Sequence, residues 1–237
     1  MKVSQITAVT KPKGRRYLYH FTRVRNLPVI AHFDALLSSQ HIYPSAAHER
    51  RIMQQEVVHE GQTIILNAHL RIPDSMIDPS TTQEQFRASI DRHVFFWPTL
   101  RDCLKMLDTY ARREPGEGFA VLKCDAQSLL LDHYDSARLS KYDSGSSPRY
   151  PNNCTYKKSQ DMFLPVDSFQ EINKHLVPTK ASEIKEVLIE GKVSHLSKYV
   201  EEVYADDVQR VPERWRELTQ PLQDLRVMDR NGTNNPS

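Results

Sequence analysis

Tyr17-Leu18-Tyr19-His20-Phe21-Thr22, followed at once by Arg23-Val24-Arg25-Asn26-Leu27-Pro28-Val29-Ile30, is the stretch on which the reading of this chain turns. Its aromatic and β-branched content predicts a short strand that delivers a histidine and a threonine to its end. Asn26 then stands where a helix cap belongs, and Pro28 suits the first turn of a helix carrying Leu27, Ile30, Ala31 and Leu37 near helical spacing. A strand end that runs into a helix offers rigid backbone donors and acceptors beside side chains, which suits a small polar ligand.

Working outward, Met1 to Arg16 is polar and ends in the basic cluster Lys11-Pro12-Lys13-Gly14-Arg15-Arg16, either a solvated lead-in or an arm that touches phosphate. Ser45 to Val58 is helix-like with Arg50 and Arg51 on it, and Gln62 to Leu66 predicts a strand. Pro73 to Thr82 is a loop. Arg92-His93-Val94-Phe95-Phe96-Trp97-Pro98 is the clearest strand, closed by proline. Thr99 opens a helix with Asp102 placed to return a capping contact, and Leu100, Cys103, Leu104, Leu107 and Ala111 form its apolar face. Pro115-Gly116-Glu117-Gly118 ends it. Phe119 to Cys124 is the next strand, with Asp125 capping a helical run to Tyr134. The polar stretch Ser140 to Pro151 is either a connection or a substrate contact. Phe163-Leu164-Pro165 is extended, Ser168 to Leu176 helical, Glu183 to Glu190 a buried strand, and Val193 to Val203 a short helix and strand. The tail carries an amphipathic helix around Trp215 and frays from Asp229. Strands separated by helices and long loops, without strict alternation, define an α+β class. The organisation expected is a basic segment 1–16, a domain over 17–226 and a flexible tail 227–237.

The composition narrows the function. With 237 residues the chain can bury a sizeable core, and 32 basic against 30 acidic residues leave no overall charge that would announce a nucleic-acid binder. Three cysteines, Cys103, Cys124 and Cys154, give neither a disulfide framework nor a paired zinc spacing, and no metal-ligand pattern stands out. The absence of a roughly 20-residue apolar run argues against a membrane partner, and a reducing cytoplasm is the expected location. There is no Gly-rich phosphate loop, no GxSxG and no HExxH.

Three constellations can carry chemistry. In a strand, Glu186 shares a face with Leu188 while Lys185, Val187 and Ile189 point the other way, so a carboxylate sits on an apolar face. It either pairs with an arginine or lines a cleft, where it could bind a ribose hydroxyl or stabilise positive charge. His20 is either a hydrogen-bonded core residue or, with the strand end around it, part of a carboxamide site. Phe95, Phe96 and Trp97 are core rings or a stacking surface. Arg50 and Arg51 are a solvated face or a pyrophosphate clamp. A competing pattern, Val187-Leu188-Ile189-Glu190-Gly191-Lys192, has the form of a metal-dependent nuclease strand, with Glu190 and Lys192 at its centre and Mg²⁺ as its ion.

Tyr19-His20-Phe21-Thr22 with Asn26-Leu27-Pro28-Val29-Ile30 and Leu36-Leu37-Ser38 resembles the opening of the DarT-type ADP-ribosyltransferases. His93 to Pro98 resembles that family's aromatic strand, Ala47 to Arg51 its helix with a functional arginine, and Lys185-Glu186-Val187-Leu188-Ile189 the strand bearing its catalytic glutamate. The likeness is closer to an uncharacterised bacterial branch that also has an Arg-Leu-Ser and Ser-Gly loop, present here as Arg138-Leu139-Ser140 and Ser144-Gly145. The chain departs from the family at Ala35, where the family has glycine, and over Glu60 to Asp91.

The resemblance implies an ADP-ribosyltransferase-like split β-sandwich, two small sheets flanking a cleft for NAD, with peripheral helices. It implies Glu186 and Arg51 as catalytic residues, Glu186 for the chemistry and Arg51 on the NAD phosphates, Glu183 taking the role of Glu186 if the strand register differs. His20, Phe21, Thr22, Asn26, Arg50, Phe95, Phe96 and Trp97 are the implied NAD-binding residues. The implied activity is transfer of ADP-ribose from NAD to a nucleic-acid acceptor, with release of nicotinamide, by a toxin or phage-defence effector with an antitoxin partner. The alternatives are the Mg²⁺ nuclease, a protein-targeting transferase and a module that binds nucleotide without turnover.

Overall fold

The computed structural model describes residues 2–46, 49–145, 155–171 and 176–233. Strand β1 (Tyr17–Arg23) pairs antiparallel with β6 (Phe119–Asp125) along its whole length, from Tyr17 opposite Asp125 to Arg23 opposite Phe119. The far side of β6 carries β11 (Val200–Ala205), antiparallel, and β12 (Thr219–Pro221) lies parallel to β11. A second four-stranded sheet has the order β5 (His93–Phe96), β9 (Glu186–Glu190), β7 (Ala137–Ser140) and β8 (Leu164–Pro165). Two smaller pairs complete the strands among the described residues. One is β2 (Ala35–Leu37) with β10 (Lys192–Ser194). The other is the hairpin β3 (Gln55–His59) and β4 (Gln62–Leu66), whose two-residue turn holds Glu60 and Gly61 at φ of 48° and 76°. Positive φ at both positions matches the twist of the flanking strands, and glycine at the second makes it inexpensive. The class is α+β.

The sheets touch where β1 passes the end of β5. Tyr19 N–H donates to the Trp97 carbonyl at 2.9 Å and Trp97 N–H donates back to Tyr19 at 2.8 Å, an antiparallel bridge between the sheets. Side-chain alternation then sorts the core. Val94, Phe96, Val187 and Ile189 enter the main apolar cluster with Leu18, Leu122 and Trp215. Phe95 and Leu188 face the other way, against Phe86 and Phe163, and Trp97 joins Phe21, Phe119 and Tyr204 under the helix α5 (Leu100–Arg113). The Thr99 cap of α5 is as the sequence predicts: Thr99 Oγ1 accepts the Asp102 N–H at 3.1 Å and donates to the Asp102 carboxylate at 2.7 Å. Asp125 likewise caps α6 (Ala126–Asp132).

Several expected elements differ. The 1–16 segment contains the helix α1 (Lys2–Thr10), which buries Ile6 and Val9 against the main core, so it is more than a polar lead-in. Pro28 does open the helix α2 (Leu27–Phe33), but Asn26 makes no side-chain cap. Its amide instead clamps the Ile65 backbone of β4, accepting and donating at 2.9 Å each, and so holds the hairpin against the start of α2. The helix expected over Ser45 to Val58 is replaced by a 3-10 turn at Pro44–Ala46, irregular backbone at 49–54 and the strand β3. Adjacent β-branched Val57 and Val58 favour pairing with β4, and Arg51 is held from outside by side chains. The helix expected over Ser168 to Leu176 does not form at its described start, because Gln170 turns left-handed at φ 71°; residues 172–175 lie outside the described residues. Trp215 sits in a 3-10 helix, Glu213–Leu218, and the tail's α-helix comes later as α7 (Leu222–Thr233), which continues past the residue where fraying is expected. The helices α3 (Ser39–Ile42) and α4 (Gln83–Asp91) have no sequence-based counterpart above; α4 opens with a capping box of Thr82 and Gln85. Cys103 and Cys124 are free and buried, and Cys154 lies outside the described residues. No helix among the described residues is long and apolar enough to cross a membrane.

At the end of β1, Arg23 is 1% exposed and bonds Glu114, Asn67 and the Gln54 side chain, with Glu117 at 3.4 Å. A buried charge of this kind is stable only while its partners remain. Arg23→Ala leaves the largely buried Glu114 without its counter-charge and Glu117 with Arg25 alone, and is expected to cost about 3–5 kcal/mol in chemical denaturation; a loss under about 1 kcal/mol would show that the network carries little.

Candidate active site

A cavity of about 670 Å³ opens between the two sheets, the size of small-molecule sites generally. His20, Phe21, Thr22, Asn26, Arg50, Arg51, Phe95, Trp97 and Glu186 all line it. The register explains why residues so distant in sequence meet. In the antiparallel pair of β5 and β9, Phe96 faces Val187, so one step further sets Glu186 across from Trp97. Trp97 is itself bridged to Tyr19, the neighbour of His20. Phe96 is the exception among the expected site residues. It is fully buried in the main core and does not line the cavity, because alternation along β5 points it away from Phe95 and Trp97; it supports the His20 ring from behind at 5.5 Å.

His20 is fixed in one tautomer. Its Nδ1–H donates to the Phe95 carbonyl at 2.8 Å, since a carbonyl can only accept, which leaves Nε2 as an acceptor. Burial holds the imidazole pKa down to about 4, against which that carbonyl contact works only partly, so the ring is neutral at pH 7.

Glu186 is 1% exposed, and the loop after β7 holds it. Ser144 donates its backbone N–H to Oε2 at 3.0 Å and its hydroxyl to Oε1 at 2.9 Å. Burial first and the neighbouring Asp143 second push the carboxyl pKa up to about 8, while the Ser144 donors and Lys158 pull it back. Gly145 is favoured by close approach rather than by φ. A Cβ there would sit 2.9 Å from the Asp143 carboxylate, 3.1 Å from Leu70 Cδ1 and 3.2 Å from Met106 Cε. The Ser140–Pro151 stretch thus touches the site through Ser144 and Gly145, and 146–154 lie outside the described residues. Ser144 is named above only within a resemblance; its role as the clamp on Glu186 has no signal in the sequence beyond a small polar residue beside a glycine.

Arg51 is 8% exposed and heavily engaged. Its guanidinium grips both Asp91 oxygens, one at 2.9 Å, and its Nε donates to the Asn67 carbonyl at 3.0 Å. His69 Nδ1 accepts the Arg51 backbone N–H at 3.0 Å, so its Nε2 carries the proton and donates to Asp91 at 3.0 Å. Burial alone would raise the Asp91 carboxyl, but the hydrogen bonds from His69 and Arg51 win and hold it below the usual range. Arg50 is exposed at the cavity wall. Glu183 stands outside the cavity, in a 3-10 turn where it accepts from Thr179 and pairs with Lys141 at 3.4 Å. Glu190 pairs with Arg138 at 3.2 Å, and neither it nor Lys192 lines the cavity. Among the described residues no group of three or more His, Cys, Asp or Glu converges as a metal-ligand set.

Residues 16–200 match the model of a family of unknown function, DUF7002, and the chain belongs to that family. No curated protein matches it. Solved structures of DarT from Thermus sp. 2.9 are similar at low level. The complexes with carba-NAD+ and with NAD+ each share 15% identity at a TM-score of 0.42, covering 89% of this chain and 94% of that one. The complex with ADP-ribosylated ssDNA shares 13% identity at a TM-score of 0.41, covering 87% and 92%.

The raised pKa of Glu186 has a signed effect on stability. Its ordinary value is 4.5, so between there and about 8 the folded state keeps a proton that the unfolded state has released. The contribution is therefore present at low pH and is lost as pH rises through that window. Wild-type melting temperature should fall across it, and Glu186→Gln, which cannot ionise, should remove that part of the fall; parallel pH slopes for the two proteins would refute the assignment.

Proposed function

We propose that this chain is an NAD-dependent ADP-ribosyltransferase of split β-sandwich architecture that modifies nucleic acid and releases nicotinamide. The observation that carries the reading is the meeting of His20 and Glu186 on one cavity from two sheets, with Trp97 between them, on the motifs that resemble that enzyme class. The neutral His20 Nε2 accepts a ribose hydroxyl, and the strand end at Phe21 and Thr22 meets the carboxamide. Trp97 and Phe95 give the nicotinamide apolar ring surface.

The bond from C1′ of the ribose to the nicotinamide nitrogen breaks, and its electron pair returns to the ring, which leaves uncharged. Positive charge develops on C1′ and the ring oxygen, and ionised Glu186 stabilises it at short range in a site shielded from water. The acceptor atom forms the new bond to C1′ and gives its proton to Glu186. Arg51, held by Asp91 and His69, acts as a fixed positive wall. In the cell this activity fits a toxin or phage-defence effector restrained by an antitoxin.

Incubation with labelled NAD and separate DNA, RNA and protein pools tests the reaction; label is expected in a nucleic-acid pool, undiminished by EDTA. Glu186→Gln should lower incorporation by about 100-fold or more and relieve growth arrest; wild-type labelling by that variant would overturn the site. Because the ionised carboxylate is the active form, the rate of the free enzyme should rise with pH toward about 8. Ser144→Ala removes a donor to the carboxylate and should move that limb to higher pH; a limb that stays in place would detach Ser144 from the chemistry.

A further inference from the structure

One face of α4 forms a wall of the cavity, with Gln83, Arg87 and Asp91 spaced a turn apart. The outer two are engaged. Asp91 is held by Arg51 and His69, and the Gln83 amide donates to the Ile72 carbonyl at 2.6 Å and to Asp74 at 3.0 Å. Arg87 between them is different. Its Nε is buried and has no acceptor among the described residues, where its one side-chain hydrogen bond is a 3.5 Å approach of Nη1 to Gln83 Oε1. No carboxylate among the described residues lies within ion-pair distance of it. The same is true of Arg50 and Arg71, exposed on this cavity's wall, whereas Arg23, Arg25 and Arg51 all have acidic partners. The carboxylates that line this end, Asp74 and Asp91, are both already accepting hydrogen bonds.

A buried guanidinium N–H without an acceptor is costly, and a planar fork facing a cavity is complementary to the oxygens of a phosphate. We propose that Arg87 is the centre of an anion site for a diphosphate group, with Arg50 and Arg71 closing over its outer oxygens. The site stands on this geometry alone. Only its occupant in the cell, the diphosphate of the dinucleotide, rests on the transferase reading.

Titration of the full chain with inorganic pyrophosphate, followed by calorimetry, tests the site without reference to NAD. Wild type should bind, Arg87→Gln should bind about 10-fold more weakly or worse, and Arg87→Lys should fall between them because it keeps the charge but loses the fork. Arg112→Ala, on the outer surface of α5, should match wild type. Arg87 has no ion-pair partner among the described residues to orphan, so thermal melts of both Arg87 variants should match wild type, and the lysine variant carries the comparison if the glutamine variant does not fold. Absence of pyrophosphate binding by wild type, or equal binding by wild type and the Arg87 variants, overturns the proposal. Parallel titrations with NAD separate the two readings. Pyrophosphate binding through Arg87 without NAD binding leaves the anion site standing and the transferase reading fallen. NAD turnover unaffected by Arg87→Gln, together with equal pyrophosphate binding by wild type and variant, leaves the transferase reading standing and the anion site fallen.

Discussion

The two backbone hydrogen bonds between Tyr19 and Trp97 are the constraint on which the rest of the site depends. They fasten the edge of one four-stranded sheet to the end of an edge strand of the other, and the His20 contact to the Phe95 carbonyl reinforces the same joint. A slip of one residue in β1 would turn His20 away from the cavity and drive Leu18 out of the main core. Leu18, Phe96 and Val187 therefore act at a distance on the cavity: their burial pins the register that brings His20 and Glu186 together.

The walls of the cavity are charged but closed systems. Arg51 with Asp91 and His69 lines it directly, and Arg23, with Glu114 and Glu117 behind it, does so at the end of β1. Buried ion pairs add little net stability, but each fixes the geometry of its members, since a broken pair leaves a buried charge uncompensated. Helix α4 shows the contrast within nine residues. Asp91 at its end is fully answered, whereas Arg87 one turn earlier keeps a buried donor free.

What the sequence makes legible is what local pattern controls. The dense aromatic strand at His93 to Pro98, the Thr99 and Asp125 caps, and the Pro28 helix start are consequences of neighbours in the chain, and each is found. Asn26 looks like a cap for the same reason, but its amide is taken by the Ile65 backbone from a distant hairpin, a tertiary competitor invisible locally. Ser45 to Val58 reads as helix because Ser45 can cap one there, with Arg50 and Arg51 on it. Arg51 is instead held by Asn67, His69 and Asp91, all later in the chain. Glu186 on an apolar strand is a visible anomaly, and it lines the cavity; its Ser144 clamp, set by a loop crossing back over β9, is not visible locally. Phe96 was grouped with its neighbours by composition, and alternation along the strand separates it from them.

Glu186 and His20 are both uncharged at neutral pH, for the same reason: burial disfavours their ionised forms. The consequences for the proposed reaction are opposite. A histidine kept neutral retains the Nε2 lone pair that a hydroxyl donates to, so its depressed pKa is directly useful. A glutamate kept protonated is not yet the charge-stabilising group, and what changes it is the substrate. The nicotinamide ring of NAD carries a positive charge, and bringing that charge beside a buried carboxyl lowers its pKa, because the attraction is strong where water is excluded. Binding and ionisation are then linked: the ligand that needs the carboxylate creates it, and the Ser144 donors, already aimed at both oxygens, need not move when it forms. A carboxyl that is neutral until its substrate arrives also costs the protein no buried charge beforehand, which reconciles an apolar strand environment with the role proposed for the carboxylate on it.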